Sequence, residues 1–288
     1  MTRLFAAFLI LVGTVTAALA ASGKEPAPAG SFEGAPPQYT RFSVAELERG
    51  FLALAFGSDL RIGAPPLGVR RFGHPIRVRV IAGGTVDRNF AMSRIIEDYA
   101  RAVPRLGLSE TWSASGADIE LRLIDEKDFQ SALQSAFGKK IAQTFVARTD
   151  PQCMTSVKSN AGGDILRSVS FIIVDRGEDV FLDCAYHELL HAFGLSNHDQ
   201  HNPWTTLNQK RMVGYLSVYD RALLTLLYDP RIRPGMTSKE VKALMPDLLD
   251  TARAWVTRIN PPERAAAPEA SRASAETLAP TGGGPNAN

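Results

Sequence analysis

The chain has 288 residues, of which 45% are hydrophobic and 22% charged, which is typical of a soluble globular protein and excludes a collagen-like, low-complexity or wholly disordered chain. Lys and Arg number 32 and Asp and Glu 30, so the net charge of +2 gives no reason to expect nucleic acid or an acidic surface as a partner. Two cysteines are too few for a disulfide-dense miniature protein or a four-cysteine zinc finger.

The two ends of the chain have compositions that predict no folded core. Residues 1–20 contain one Arg, an apolar run and a final Ala-Leu-Ala, the pattern of a cleaved secretory signal peptide, with an uncleaved membrane anchor as the alternative. The apolar run is short for a full span and no later stretch is long enough for one, so we expect a periplasmic or secreted protein with no stable membrane span after cleavage. Residues 21–42 predict a flexible linker and residues 261–288 a disordered tail, which leaves a folded unit at 43–260.

Helix and strand patterns alternate through the folded unit. In chain order they predict a helix from a capping box at 43–46, a strand at 76–80, an amphipathic helix at 89–104, a strand at 119–123, a helix or helical loop at 129–141, a buried strand at 169–174, a helix at 183–194, a helix at 223–227 and a terminal helix from a capping box at 237–240. Few strands among many helices predict one α/β or α+β domain, with helices packed on a small twisted sheet.

Four of the five histidines lie between positions 187 and 201, and they carry the strongest chemical signal. His187 and His191 are four residues apart in His-Glu-Leu-Leu-His, so on a helix their imidazoles share one face and reach one zinc ion. Glu188 is expected to act as general base toward a zinc-bound water. A pair of solvated helix histidines is the alternative.

A third zinc ligand is expected from the chain that follows this helix. Gly194 predicts the end of the helix, after which a returning loop would approach the metal. The pattern His-Glu-x-x-His-x-x-Gly opens the metzincin signature, whose third ligand comes six residues after the second His. That position is Asn197, a weak zinc donor, so we predict His198 as the third ligand, with Asp199 and His201 as fallbacks.

Three stretches, HELLHAFGLSNHD, TTLNQ and YLSVYDRALLTLLYDPRIRPGM, resemble the bacterial family known as domain of unknown function 2927. Its domain is regarded as related to metzincin zinc peptidases, and the resemblance extends from about 42 to 236. It implies a metzincin-like zincin fold at 43–260 and a polypeptide substrate that lies along an edge strand. Many members carry Glu and Gln in place of His187 and His191, so the complete pair in this chain favours metal chemistry here.

Two features after the histidines also match metzincins. A turn that usually carries Met underlies the metzincin metal site, and the matching stretch is 205–209, with Leu207 in the place of Met and Met212 displaced. Tyr215 or Tyr219 is expected to approach the site and to hydrogen-bond a tetrahedral oxyanion. A packed tyrosine at a helix cap is the alternative for each.

Cys153 and Cys184 are predicted to form a disulfide, because an exported chain meets an oxidising compartment. The bond would pin the start of the metal-binding helix to a loop at 149–163. The alternative is that Cys184, one helical turn before His187, is a thiolate zinc ligand.

Four arginines at positions 70, 71, 77 and 79 form a local basic cluster around the first predicted strand. We interpret them as a solvated strand face.

Together these patterns predict an exported zinc-dependent metallopeptidase, a hydrolase with one zinc ion per chain, in which Glu188 assists the attack of zinc-bound water on a peptide bond. The substrate is expected to be a polypeptide or a cell-wall peptide, the latter as for a zinc amidase, and no nucleic acid partner is expected. The alternative is a catalytically inactive envelope binding protein with a structural or absent metal. A catalytic zinc keeps an open coordination position, whereas a structural zinc is closed by four protein ligands.

Overall fold

The structure is a computed structural model that describes residues 42–57, 68–148 and 152–259. The predicted signal peptide, the predicted linker up to residue 41 and the predicted tail lie outside the described residues. None of the helices in the described segments has the length and apolarity that crossing a bilayer requires.

Helices and strands are interleaved along the described chain. The helices are α1 (Val44–Phe56), α2 (Asn89–Ala102), α3 (Glu126–Phe137), α4 (Lys139–Arg148), α5 (Glu178–Ala192), α6 (Val218–Leu227) and α7 (Ser238–Ile259), with a 3₁₀ turn at Pro104–Leu106. The strands are β1 (Arg77–Ala82), β2 (Ser109–Glu110), β3 (Ile119–Ile124), β4 (Cys153–Ser159) and β5 (Ile165–Ile173).

The strands form one mixed sheet in the order β2-β1-β3-β5-β4. The pairs β1–β2, β1–β3 and β3–β5 are parallel, whereas β4 pairs antiparallel with β5 and forms an edge. This arrangement confirms the predicted α/β class with helices packed on a small mixed sheet.

Apolar side chains form a cluster on each face of the sheet. The larger cluster joins one face to α1, α2, α5, α6 and α7 and includes Phe51, Tyr99, Leu121 and Leu223. The smaller cluster joins part of the other face to α3 and α4 through Phe129, Leu133, Phe171 and neighbouring residues. Within the described segments, helices therefore cover only part of the second face.

Two local predictions are corrected. The stretch predicted as a loop at 149–163 contains β4, because Cys153–Ser159 pairs with β5 although its own sequence is mostly polar. The helix that carries His187 and His191 is also longer at its start than predicted: α5 begins at Glu178 and ends at Ala192. Gly194 has a φ of 118°, and a Cβ there would lie 2.0 Å from the Arg70 carbonyl oxygen, so only glycine fits where the chain turns away.

The predicted disulfide between Cys153 and Cys184 is confirmed, with a Cα–Cα distance of 5.8 Å. It joins the start of β4 to α5, one turn before His187. Cys184 is therefore not a thiolate ligand.

Loss of this disulfide is expected to destabilise the protein by about 3–4 kcal/mol, since the bond closes a long loop in the unfolded chain. The two cysteines are separated by 31 residues. For a domain of this size the change corresponds to a fall in Tm of roughly 10 °C. Calorimetry of the double variant Cys153→Ala, Cys184→Ala measures it, and reduction of the unaltered chain tests the bond without a change in packing. A Tm within 2 °C of the oxidised protein in both experiments would contradict the expectation.

Candidate metal centre

Three histidine side chains converge at the C-terminal end of α5. His187 and His191 lie one turn apart on the helix, and His198 lies on the loop that follows. The Nε2 atom of His198 is 2.9 Å from that of His187 and 3.1 Å from that of His191, and the two helix Nε2 atoms are 3.1 Å apart. Among the described residues, these three form the group of His, Cys, Asp or Glu side chains whose ligand atoms lie close enough to hold a metal ion.

Hydrogen bonds to backbone carbonyls fix the tautomers of the two helix histidines. The Nδ1 atom of His187 lies 2.9 Å from the Thr206 oxygen, and that of His191 lies 2.6 Å from the Leu195 oxygen. A carbonyl only accepts, so each Nδ1 carries the proton and each Nε2 presents a lone pair. Burial lowers the pKa of His187 to about 3 and that of His191 to about 4, which keeps both rings neutral at neutral pH. The Nε2 lone pairs of His187 and His191 face each other and are not able to hydrogen-bond to each other. A cation between the two nitrogen atoms would accept both lone pairs.

The spacing of the three Nε2 atoms fits a zinc ion. Zn–N bonds of about 2.0–2.1 Å at tetrahedral angles hold ligand nitrogens about 3.3 Å apart. The observed separations of 2.9–3.1 Å come close to this value. Neutral imidazoles whose other nitrogen donates to a carbonyl are also the usual form of zinc-binding histidine.

The loop at 195–198 is held against α1, and this determines which of its side chains joins the cluster. The backbone N–H of Ser196 donates to the Leu54 oxygen, and the side-chain amide of Asn197 donates to the Ala53 oxygen at 3.1 Å. Asn197, at the position of the third ligand in metzincins, is thus turned toward α1. His198, one residue later, is the side chain that faces the other two histidines.

A turn at 205–207 supports both halves of the cluster. Its Thr206 carbonyl accepts from His187, and its Leu207 carbonyl accepts from the backbone N–H of Asp199, next to His198. Leu207 itself is fully buried. This turn falls at the position where the sequence predicts the turn beneath a metzincin metal site.

Asp220 holds this turn in place and was not identified from the sequence. It is fully buried at the start of α6, where its carboxylate accepts from the Thr205 hydroxyl (2.6 Å), the Thr206 backbone N–H (2.9 Å) and the Ser217 hydroxyl (2.8 Å). Burial raises its pKa to about 6 despite these bonds. The pattern Ser-x-x-Asp at 217–220 indicates a helix cap, which Ser217 forms, but the contact with the turn depends on tertiary structure.

Asp220→Asn is expected to weaken zinc binding by about 10- to 100-fold, because the amide leaves a donor of the turn without its acceptor and frees the carbonyl that orients His187. The same change is expected to lower the free energy of unfolding by about 1–3 kcal/mol. Zinc titration and urea denaturation measure the two effects. The matched control is Asp250→Asn, an exposed position on α7. Zinc affinity within twofold of the unaltered chain would show that Asp220 does not position the site.

Glu188, the residue after His187 on α5, has a buried carboxylate. The side chain is 3% exposed, and its Oε2 atom has no hydrogen-bond partner among the described residues. Burial raises the pKa of Glu188 to about 8. A buried carboxylate oxygen without a partner disfavours folding, and such groups are typical of functional sites. The backbone carbonyl of Glu188 accepts from the Thr155 hydroxyl at 3.1 Å, so the edge strand β4 lies directly beside it.

The two fallback ligands, Asp199 and His201, are not part of the histidine cluster. The Asp199 carboxylate accepts from the backbone N–H of His201, whose side chain is exposed. The hydroxyl of Tyr219 donates to the Glu46 backbone oxygen at 2.9 Å, a bond that holds α6 to α1. Tyr215, between the turn and α6 in the chain, is buried, and burial raises the pKa of its phenol.

Comparison with known protein families shows the family to which the chain belongs. The family described as "Protein of unknown function (DUF2927)" matches residues 44–247. The chain belongs to this family. Comparison with curated proteins and with solved structures found no match. The DUF2927 match includes the three histidines, Glu188, the disulfide and Asp220, so the whole candidate centre lies within the family's domain.

Proposed function

We propose that this DUF2927 protein is an exported zinc-dependent metallopeptidase with a metzincin-like fold. The observation that carries the proposal is the convergence of three imidazole Nε2 atoms within 3.1 Å of one another, on a helix whose Glu188, the residue after His187, has a buried carboxylate oxygen without a partner among the described residues. His187, His191 and His198 would hold the metal, and Glu188 would be the base. Three protein ligands leave a tetrahedral ion one open position, which a catalytic site requires.

The arrangement around the histidines supports a metzincin-like identity. A helix that carries two of the ligands packs against an antiparallel edge strand, and a buried turn supports the first ligand from below. Leu207 stands where metzincins usually have Met. The chain therefore differs from the metzincin pattern at this residue but keeps the turn itself.

The edge strand supports a polypeptide substrate. β4 is the outer strand of the described sheet, so its outer backbone groups are able to pair with an extended peptide. Thr155 joins β4 to the carbonyl of Glu188, which would bring a peptide on this edge next to the base. Cell-wall peptides are substrates of the same chemical class.

Bound zinc would supply Lewis acidity, which polarises a scissile carbonyl and allows attack by water at neutral pH. Glu188 would accept a proton from the attacking water at Oε2 and then donate it to the leaving amine. The Thr206 and Leu195 carbonyls would keep two imidazoles in the ligating tautomer throughout. The disulfide supports export, because such bonds persist in oxidising compartments.

The proposal is tested by incubating the zinc-loaded protein with a mixed peptide library and identifying products by mass spectrometry. We expect cleavage that a chelator abolishes and added zinc restores. A zinc-loaded protein that cleaves no peptide would instead support the alternative, an inactive envelope binding protein with a structural metal.

A further inference from the structure

The part of the second sheet face on which no described helix packs carries five basic side chains, which we call the basic face. They are Arg77 and Arg79 on β1, Arg122 on β3, Arg167 on β5 and Lys158 on β4. Their strand register sets them side by side: Arg79 pairs with Glu120, and Lys158 pairs with Arg167. The four arginine side chains are 30–54% exposed.

The basic face carries more positive charge than its acidic groups neutralise. Glu120, only 4% exposed, shares its carboxylate among Arg79 (3.8 Å), Arg122 (3.0 Å) and Arg167 (2.6 Å). Asp118 lies 3.6 Å from Arg77. Five basic and two acidic side chains leave a local charge of +3, whereas the entire chain has a net charge of +2.

Glu120 also fixes the arginines in place. Burial alone would raise its pKa, but hydrogen bonds from Arg122 and Arg167 lower the pKa below its ordinary value, so the carboxylate stays ionised. Three guanidinium groups held by one carboxylate lose little further freedom on binding an anion, and their remaining N–H groups suit phosphate oxygens.

An exposed tryptophan belongs to a loop that borders the basic face. Trp112 is 87% exposed and belongs to the loop between β2 and β3. The same loop touches the basic face, because a Cβ at Gly116 would lie 3.0 Å from Nη1 of Arg77. Tryptophan beside basic residues is typical of segments that bind at a membrane–water interface.

We propose that the basic face docks this protein onto an anionic membrane surface, with its guanidinium groups on lipid phosphates and Trp112 at the headgroup level. Four neighbouring strands form a platform about 14 Å wide, which suits a layer of headgroups better than a single polyanion strand. The disulfide indicates an oxidising compartment, where phospholipid is abundant and nucleic acid is not an expected ligand.

Docking through the basic face would leave the candidate metal centre out of contact with the membrane. Thr155, which contacts α5, pairs with Ser170, whereas Arg167 and Lys158 pair on the opposite face. The histidine cluster therefore lies across the sheet from the membrane. Membrane docking is independent of the proposed peptidase activity and is tested without it.

The test is co-sedimentation of the full chain with vesicles of equal parts phosphatidylcholine and phosphatidylglycerol, compared with phosphatidylcholine alone. The double variant Arg77→Gln, Lys158→Gln removes two charges and leaves all three partners of Glu120 in place. The matched control is Lys239→Gln, Lys242→Gln, exposed positions on α7. All forms share the same N-terminal apolar run, so its contribution appears equally on the neutral vesicles.

We expect the first double variant to bind anionic vesicles roughly 30-fold more weakly, about fivefold for each charge, and the control to bind as the unaltered chain does. Binding should also weaken as salt is raised. Equal binding by both double variants, or equal binding to both kinds of vesicle, would overturn the proposal. So would competition by millimolar inorganic phosphate or tighter binding to DNA than to vesicles, since either would identify a different ligand.

Trp112 gives a second readout that does not depend on the charge variants. The chain has three tryptophans, and we expect a blue shift of their emission on anionic vesicles. Trp112→Phe should abolish the shift while the protein still sediments with the vesicles. A shift that persists in Trp112→Phe would place the membrane contact elsewhere.

Discussion

Glu188→Gln is expected to lower the rate of peptide hydrolysis by about 10²- to 10⁴-fold, the usual contribution of a positioned general base. Gln keeps the size of the side chain but is not able to accept the proton at Oε2. Zinc content should stay at one ion per chain, because the three imidazoles are untouched. The fold should also persist, since a neutral amide replaces a buried carboxylate oxygen that has no partner. Turnover of a cleaved library peptide and metal analysis measure both quantities on the same sample.

Glu178→Gln is the matched control for this variant. Glu178 lies in the first turn of the same helix with its side chain 71% exposed, so its substitution should leave both turnover and zinc content unchanged. If Glu188→Gln keeps at least half of the activity, Glu188 is not the base. If it loses zinc together with activity, Glu188 contributes to holding the metal.

Zinc is expected to raise the thermal stability of the chelator-treated protein, and His198 to be required for this effect. A ligand that binds only the folded state adds about 2.7 kcal/mol at a free concentration of 100 times its Kd. For a domain of about 200 residues this corresponds to a rise in Tm of roughly 5–10 °C. His198→Ala removes one of three ligands and should abolish most of the rise in a calorimetric scan.

Asp199→Ala and His201→Ala are the controls that separate the fallback ligands from His198. Both positions lie within three residues of His198, yet the structure keeps their side chains out of the cluster. Both variants should retain the zinc-dependent rise in Tm. If Asp199→Ala abolishes it and His198→Ala retains it, the third ligand is Asp199.

The part of the site that the sequence could predict is the part that local geometry determines. His187 and His191 are one helical turn apart, so their shared face follows from helix periodicity alone. Asn197 matches the expected ligand spacing, but its side-chain amide donates to the Ala53 carbonyl, 144 residues away in the chain. The choice of His198 over Asn197 therefore rests on chemical preference in the sequence and on a long-range contact in the structure.

Asp220 and β4 show why the rest was missed. Ser217 and Asp220 have the pattern of a helix cap and form one, and nothing local reveals that the same carboxylate also holds a turn 14 residues away. β4 lacks an alternating apolar pattern, because it is an edge strand stabilised by pairing with β5 and by the bond from Cys153.

The basic face was also hidden in the sequence. Arg77 and Arg79 were visible as neighbours, but Arg122 and Arg167 come from other strands and join them only through the sheet register. Arg71, which the sequence grouped with them, instead donates to carbonyls at the end of α6. Because the opposite charges balance over the whole chain, net charge carries no information about this surface.

The candidate metal centre is tested most directly by anomalous diffraction at the zinc edge, from crystals of the protein grown with zinc. We predict one peak between the Nε2 atoms of His187, His191 and His198, with no fourth protein side chain in contact with it. The absence of a peak at this position would contradict the metal centre. A fourth protein ligand that closes the coordination shell would contradict the proposed catalysis.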